Sequence, residues 1–307
     1  MLFASRYIKS NFCISDNSTL VRVCDNQLRR DHISQFCQTP RYCNPTIDKR
    51  HIFVIDNYKL IYCDIPKVGS SSFKALFRNI VPVNTTAPKS DYLQSTGFRA
   101  FHTLNAQEQN KVIKDYFKLI VLRHPLDRLR SALNDRLLED GSGQENYRRN
   151  YQPVIKPFLI SKGLTTEEEF DREKDKLNLE QFFELVAQNR TDFHNIHWES
   201  FWNLCEPCRF NYDLIIKLET VDSDIDQLYA YLRSVNRSVP LPKLSHRRDR
   251  LIGETDKLRL ISELVKDIQP KIMEDIMNFL QYDLLFGGYT WDRKHGAKCN
   301  TGKNNCC

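Results

Sequence analysis

Leu60-Ile61-Tyr62-Cys63-Asp64-Ile65, running on into Pro66-Lys67-Val68-Gly69-Ser70-Ser71-Ser72-Phe73-Lys74, is the stretch whose reading decides the fold. An apolar run leads into a short polar loop, and Phe73, Leu76, Phe77 and Ile80 then recur at i, i+3, i+4 and i+7. That pattern is a strand, a loop and an amphipathic helix. A loop entering a helix N-terminus presents outward backbone N–H groups at the positive end of the helix dipole, which suits an anion. Gly69 admits close backbone approach, Ser70, Ser71 and Ser72 add hydroxyls and a choice of helix cap, and Lys67 adds a mobile positive charge. GxxxxGK[ST] is absent and the lysine precedes the glycine, so this is not a Walker A loop. Alone, the loop reads equally well as a surface lysine on a capped turn.

Upstream, Ile52-Phe53-Val54-Ile55 is another strand, and Asp56-Asn57 is the turn between it and the Leu60–Ile65 strand. Downstream, Asn105 to Tyr116 predicts a helix, and Phe117-Lys118-Leu119-Ile120-Val121-Leu122 is a short apolar run of the kind that fills a buried parallel strand. Arg123 ends that strand at the carboxyl edge, where open α/β sheets bind ligands. Pro125 opens a helix marked by Leu126, Leu129, Leu133 and Leu137, and Ser131 lies eight positions beyond Arg123. An arginine fork with a serine hydroxyl suits a terminal phosphate monoester. The structural alternative for Arg123 is an ion pair with Asp127. Arg128 and Arg130 are expected toward solvent or the sheet edge, and His124 is expected to turn away.

Residues 139–178 are charged and read either as an insertion over the site or as a solvated connector. Asn178–Ala187 predicts a helix, Leu214–Leu218 a third buried strand, and further helices fall near 222–234, 254–267 and 270–281. Strands alternating with helices imply an α/β fold, a central parallel sheet flanked by helices. The organisation expected is a cysteine-bearing arm over 1–50, a main domain over 51–290 and a cysteine-containing tail over 291–307.

The chain has 307 residues, 41% hydrophobic and 27% charged, with net charge +6, which suits anionic ligands. Ten cysteines point to an oxidising compartment with several disulfides, and the sequons at Asn17, Asn84, Asn189 and Asn236 agree. Cys205 and Cys208 form a CxxC, but no second ligand pair at zinc spacing is evident, so a disulfide is expected there; Cys63 is expected as a buried thiol. No stretch is apolar enough to span a bilayer, and Met1–Tyr7 is not a convincing signal peptide. An anchor-bearing N-terminus absent from this sequence is the expected explanation.

With these residues in hand, the chain resembles the Golgi carbohydrate sulfotransferases of the chondroitin 4-O-/HNK-1 type. Those enzymes carry a PK-x-[AG]-C-[TS]-N-W-K loop and an R-x-P-F-x-R-L-x-S-A segment, matched by Pro66–Lys74 and Arg123–Ala132. His197-Trp198, Leu204–Cys208, Tyr212–Thr220 and Tyr282–Tyr289 also look like the family, so the similarity covers roughly 52–290. Ser70, Ser72 and Phe73 stand where the family has Cys, Asn and Trp.

The resemblance implies a P-loop-like sulfotransferase fold with 51–290 as its catalytic domain. It implies 3′-phosphoadenosine 5′-phosphosulfate (PAPS) as sulfate donor. Lys67, Val68, Gly69, Ser70, Ser71 and Ser72 would then serve the 5′ phosphosulfate, and Arg123 and Ser131 the 3′ phosphate. The acceptor implied is a hydroxyl of a proteoglycan or glycoprotein glycan, chondroitin- or dermatan-like or another. A sulfuryl group carries less charge than a phosphoryl group, so Lys67 can suffice at the leaving phosphate and no metal is expected. No nucleic acid partner is expected. The location implied is the Golgi lumen, with membrane association only through the missing anchor.

Transfer to a hydroxyl needs a base, and histidine suits it. His102 lies between the two donor motifs, where related uronyl 2-O-sulfotransferases place a base; His197 is the second candidate, and a structural role stays open for both. His246-Arg247-Arg248-Asp249-Arg250 reads as a nucleotide or acceptor contact, or as a solvated loop. The competing readings are a silent glycan-binding protein that keeps the fold, and a kinase with an unusual phosphate loop.

Overall fold

The two strands expected over Ile52–Ile55 and Leu60–Ile65 form, but they run antiparallel, so the sheet is mixed rather than parallel throughout. Strands β1 (Ile52–Ile55) and β2 (Leu60–Cys63) pair antiparallel, with Ile55 opposite Leu60. The structure is a computed structural model that describes residues 18–38, 51–80, 98–138, 142–237, 263, 265–292 and 296–299. The sequons at Asn17 and Asn84, the basic loop 246–250, Cys306, Cys307 and most of the helix expected over 254–267 lie outside those residues.

Helix α1 spans Ser18–Cys37 and α2 spans Ser70–Ile80. The short β3 (Arg99–Ala100) is followed by α3 (Ala106–Asp115), β4 (Phe117–Leu122) and α4 (Pro125–Leu133). Five strands make one sheet in the order β3-β1-β2-β4-β5, where β5 is Leu214–Lys217. β2, β4 and β5 are mutually parallel, as their continuous apolar sequences require, and β1 alone runs against its neighbours. The result is a mixed α/β sheet whose parallel half carries the three segments singled out in the sequence.

Around it pack α5 (Ser142–Ser161), α6 (Leu179–Ala187), the short α7 (Phe201–Cys205) and α8 (Pro207–Phe210), α9 (Val221–Val235), α10 (Pro270–Phe279) and α11 (Gln281–Gly287). A two-stranded ribbon, β6 (Tyr289–Asp292) and β7 (Gly296–Cys299), follows. Asn105 and Asn178 cap α3 and α6, each with a reciprocal capping box.

Part of the expected arm is α1, which docks on the sheet. β5 is an edge strand, and α1 covers that edge with polar side chains. Asn26 donates to Asp213 O and accepts from Ile215 N, both at 3.0 Å, and Arg29 donates to Ile215 O at 2.8 Å. A disulfide between Cys37 and Cys208 holds the end of the helix. The second disulfide, Cys63–Cys205, corrects the expected free Cys63 thiol: the end of β2 is bonded to the end of α7. The two cysteines of the CxxC thus belong to different bridges.

The 139–178 stretch is no solvated connector where it is described. Tyr151, Val154, Ile155 and Leu159 of α5 enter the core, and the Tyr151 hydroxyl donates to His194 O at 3.0 Å.

Candidate active site

The Pro66–Gly69 loop leaves β2 and turns through left-handed backbone at Lys67 (φ 71°) and Gly69 (φ 84°). The glycine's freedom is needed for that turn. A Cβ there would meet Leu218 and Phe73 rather than open space, so Gly69 serves the backbone conformation more than ligand approach. Lys67 holds the same region with a side chain, a strain of about 1–3 kcal/mol that the surrounding contacts sustain. Gly69 precedes the first residue of α2 and its carbonyl accepts from Ser72 N and Phe73 N, so the three serines sit in the first turn instead of capping it. The Ser70 and Ser71 N–H groups, the first two of the helix, have no backbone acceptor among the described residues and make the α2 end a donor surface. Val68 is fully buried and offers only its backbone. Lys74 closes the base of the loop on Asp64 at 2.8 Å.

Lys67 and Arg123 meet. The Arg123 guanidinium donates through Nη1 to the Lys67 carbonyl at 3.0 Å and grips Asp127 through Nε and Nη2, both at 2.7 Å. The Asp127 pair foreseen as the structural alternative is therefore present, and it also holds the arginine fork at the carboxyl edge of β4. Burial would raise the Asp127 carboxyl, but the Arg123 and Arg130 charges outweigh it and hold the acid below its ordinary value. Lys67 Nζ pairs with Asp135 at 2.9 Å. Asp135 sits in the π-helical turn Asn134–Leu138 that continues α4, and Arg136 reaches the same oxygen at 3.0 Å. Burial pulls the Lys67 ammonium below its ordinary value despite the opposing Asp135. Asp127, Ser131 and Asp135 recur every four residues, so Ser131 stands on the helix face between the two carboxylates that hold the two cations. Asp135 and Arg136 carried no motif signal, because a charged pair between Leu133 and Leu137 reads as the solvated face of that helix.

Arg128 corrects the sequence expectation. It is 1% exposed and points inward, and its three donors each reach a backbone carbonyl: Pro66 O at 3.0 Å, Glu199 O at 2.6 Å and Ile196 O at 3.1 Å. Arg130, 41% exposed at its side chain, faces out as expected and pairs with Asp127. The segment that Arg128 grips holds His197, which is buried. Asn195 accepts from both the His197 backbone N–H and Nδ1, at 3.0 and 2.5 Å, which places the ring lone pair on Nε2. Asn195 is itself fixed by donating to the Tyr151 hydroxyl at 2.8 Å. Burial, reinforced by the Arg136, Lys67 and Arg128 charges, pulls the His197 imidazole down to about 3, with Asp135 opposing. His197 therefore sits neutral within the field of Lys67 and Asp135.

His102 lies elsewhere on the same edge. β3 runs parallel to β2, since both oppose β1, so the turn Phe101–Thr103 leaves at the carboxyl end of the sheet. His102 is exposed there, and among the described residues no hydrogen bond or ion pair joins it to Lys67 or Arg123.

His124 is fully buried, edge-on to the Tyr289 ring. Its backbone N–H donates to Glu219 at 2.7 Å, and the Tyr289 hydroxyl donates to the other Glu219 oxygen at 3.1 Å. The turn that aims Arg123 is thus tied to the end of β5 and to the C-terminal segment. Tyr289 folds so closely over Gly287 that a Cβ there would stand 2.5 Å from the ring. Neither His124 ring nitrogen has a hydrogen-bond partner among the described residues, and burial pulls the imidazole down to about 4. A histidine depressed on folding contributes stability above its unfolded pKa of 6.5 and loses it as pH falls toward 4. His124→Leu removes that loss. Chemical denaturation at a series of pH values is expected to show the variant gaining about 3 kcal/mol on the wild type between pH 7.5 and 4. A constant difference would contradict a neutral buried His124.

Among the described residues no group of three or more His, Cys, Asp or Glu side chains is placed to hold a metal ion. The geometry is that of an α/β protein with Lys67, Arg123 and the N-terminus of α2 brought together at the carboxyl edge of its parallel strands, each cation paired with a carboxylate. The profile of the Sulfotransferase family matches residues 50–290, and the chain belongs to that family.

Among curated relatives, carbohydrate sulfotransferase 11 of Rattus norvegicus is 26% identical over 214 residues, covering 65% of this chain and 59% of the relative. Carbohydrate sulfotransferase 14 of Homo sapiens is 26% identical over 188 residues, 60% of this chain and 47% of the relative. Carbohydrate sulfotransferase 9 of Homo sapiens is 23% identical over 289 residues, 90% of this chain and 62% of the relative. The chain thus spans about half to three-fifths of the length of these relatives. No solved structure matches significantly. Among the described residues no helix is long and apolar enough to cross a membrane.

Proposed function

We propose that the chain is a carbohydrate O-sulfotransferase that moves the sulfuryl group of PAPS to a glycan hydroxyl. The observation that carries this reading is the 3.0 Å bond from Arg123 to the Lys67 carbonyl, which brings the two cationic segments to one place in front of a helix N-terminus. The first turn of α2, with Ser70, Ser71 and Ser72, takes the 5′ phosphosulfate. Arg123 and Ser131 take the 3′ phosphate. The acceptor oxygen bonds to sulfur as the bond from sulfur to the bridging oxygen breaks. 3′-Phosphoadenosine 5′-phosphate (PAP) departs with the electron pair, and the Lys67 ammonium neutralises that charge. The acceptor proton goes to Nε2 of His197, whose segment Arg128 ties to Pro66 beside Lys67, whereas among the described residues no hydrogen bond or ion pair joins His102 to Lys67 or Arg123. The carbohydrate sulfotransferases among its relatives support a glycan acceptor, chondroitin- or dermatan-like by the sequence resemblance, and the two disulfides support an oxidising compartment, which we take to be the Golgi lumen.

The test is a thermal-shift comparison followed by transfer of radiolabelled sulfate from PAPS to a panel of desulfated glycans. PAP is expected to stabilise the chain, Mg-ATP to do so far less, and at least one glycan to be labelled. Stabilisation by Mg-ATP alone, or PAP binding with no labelled glycan, contradicts the reading. Activity requires protonated Lys67, whose pKa lies below the usual 10.5, so kcat is expected to fall on an alkaline limb below that value.

A further inference from the structure

Four segments that read as separate motifs in the sequence converge on one guanidinium. Arg128 donates to Pro66 O, one residue before Lys67, and to Ile196 O and Glu199 O, on either side of His197. Its plane lies over the Phe201 ring, 4.9 Å from the centroid. Asp283, from the Tyr282–Tyr289 segment, and Glu199 supply the opposing charge. Asp283 is held in turn by the Ser200 hydroxyl at 2.6 Å and by Trp202 N at 3.3 Å. Each carbonyl that Arg128 reaches is at least 62 residues away in sequence. A buried arginine is an expensive spacer if only packing is required, since taking its charge out of water costs several kcal/mol. What it provides that an apolar residue does not is a rigid planar fork that fixes three carbonyls relative to one another.

We propose that Arg128 is a positioning residue that couples the Lys67 loop to the His197 segment. Its fork sets the distance between the cation at the leaving phosphate and the base at the acceptor, and it touches neither substrate. This rests on the sulfuryl-transfer reading for the roles of Lys67 and His197. The groups on which donor binding depends are held by other elements: the first turn of α2 by its own helix, and Arg123 by β4 and Asp127. A fault in Arg128 therefore acts on turnover before affinity.

The test is Arg128→Lys, which keeps the charge and loses the fork. A misplacement of about 1 Å costs on the order of 10²-fold in rate. The variant is expected to lose about 10–100-fold in kcat per folded molecule, with the KM for PAPS changed less than about threefold. Amide hydrogen exchange is expected to quicken at Lys67–Gly69 and at Ile196–Trp198 together. Phe201→Leu, which loosens the guanidinium's seat and leaves every carbonyl in place, is the milder variant should Arg128→Lys fail to fold; a smaller loss with the same split is expected. Wild-type kcat per folded molecule, a loss confined to KM, or faster exchange in only one of the two segments overturns the proposal. If the wild-type chain labels no glycan, the transfer reading fails first, and the exchange pattern still decides whether Arg128 couples the two segments.

Discussion

Lys67→Ala is expected to lower sulfate transfer by about 10²–10³-fold in kcat and to weaken PAP binding by a smaller factor, while leaving the fold nearly intact. The lysine side chain is largely covered yet bonds to a single carboxylate, Asp135, at the end of α4. Its removal takes away the charge that balances the leaving phosphate and little of the packing. The backbone supplies a control. Lys67 sits at φ 71°, where alanine is as strained as lysine but glycine is not. Lys67→Gly is therefore expected to be as inactive as Lys67→Ala, and more stable than it by roughly 1 kcal/mol in chemical denaturation. Loss of activity with equal or gained stability separates a catalytic lysine from a structural one. An active Lys67→Ala enzyme contradicts the mechanism.

Arg123→Lys is expected to weaken PAP binding by about 10–100-fold, read by calorimetric titration, with a smaller change in kcat. Arginine spends Nε and Nη2 on Asp127 and Nη1 on the Lys67 carbonyl, and in the proposed reading this bracing is what aims the remaining N–H groups of its planar fork at the phosphate. Lysine reaches with a point charge and cannot hold both anchors while facing the ligand. Asp127 keeps Arg130 at 2.9 Å in the variant, so the carboxylate is not left bare and the fold should persist. Adenosine 5′-phosphate, which lacks the 3′ phosphate, should bind the wild type and Arg123→Lys alike.

The parallel core was legible because its signals are local. Continuous apolar runs marked β2, β4 and β5, and the helices expected from Asn105 to Tyr116 and over Asn178–Ala187 form at those places. The Lys67 loop and the Arg123 turn were legible because each packs its chemistry into a few consecutive residues. What stayed hidden works through the backbone of distant segments. Arg128 looks like any helix arginine until its three carbonyls are known. Helix α1 buries Asn26 and Arg29 to satisfy the β5 edge, so it carries no clear apolar stripe to betray it. Cys63 and Cys205 are 142 residues apart, and nothing in their local sequence says that they meet. The serines of the loop were legible as donors but not as residues of the first turn, because Gly69 takes the position before them.

The claim on which the rest depends is that Lys67 and Arg123 grip the two phosphate-bearing ends of one nucleotide. The most direct measurement is the affinity of the wild-type chain for PAP against adenosine 5′-phosphate, by calorimetry without magnesium. PAP is expected to bind at least about 30-fold tighter, the worth of one arginine-held phosphate. Equal affinity for the two nucleotides would mean that Arg123 does not read the 3′ phosphate.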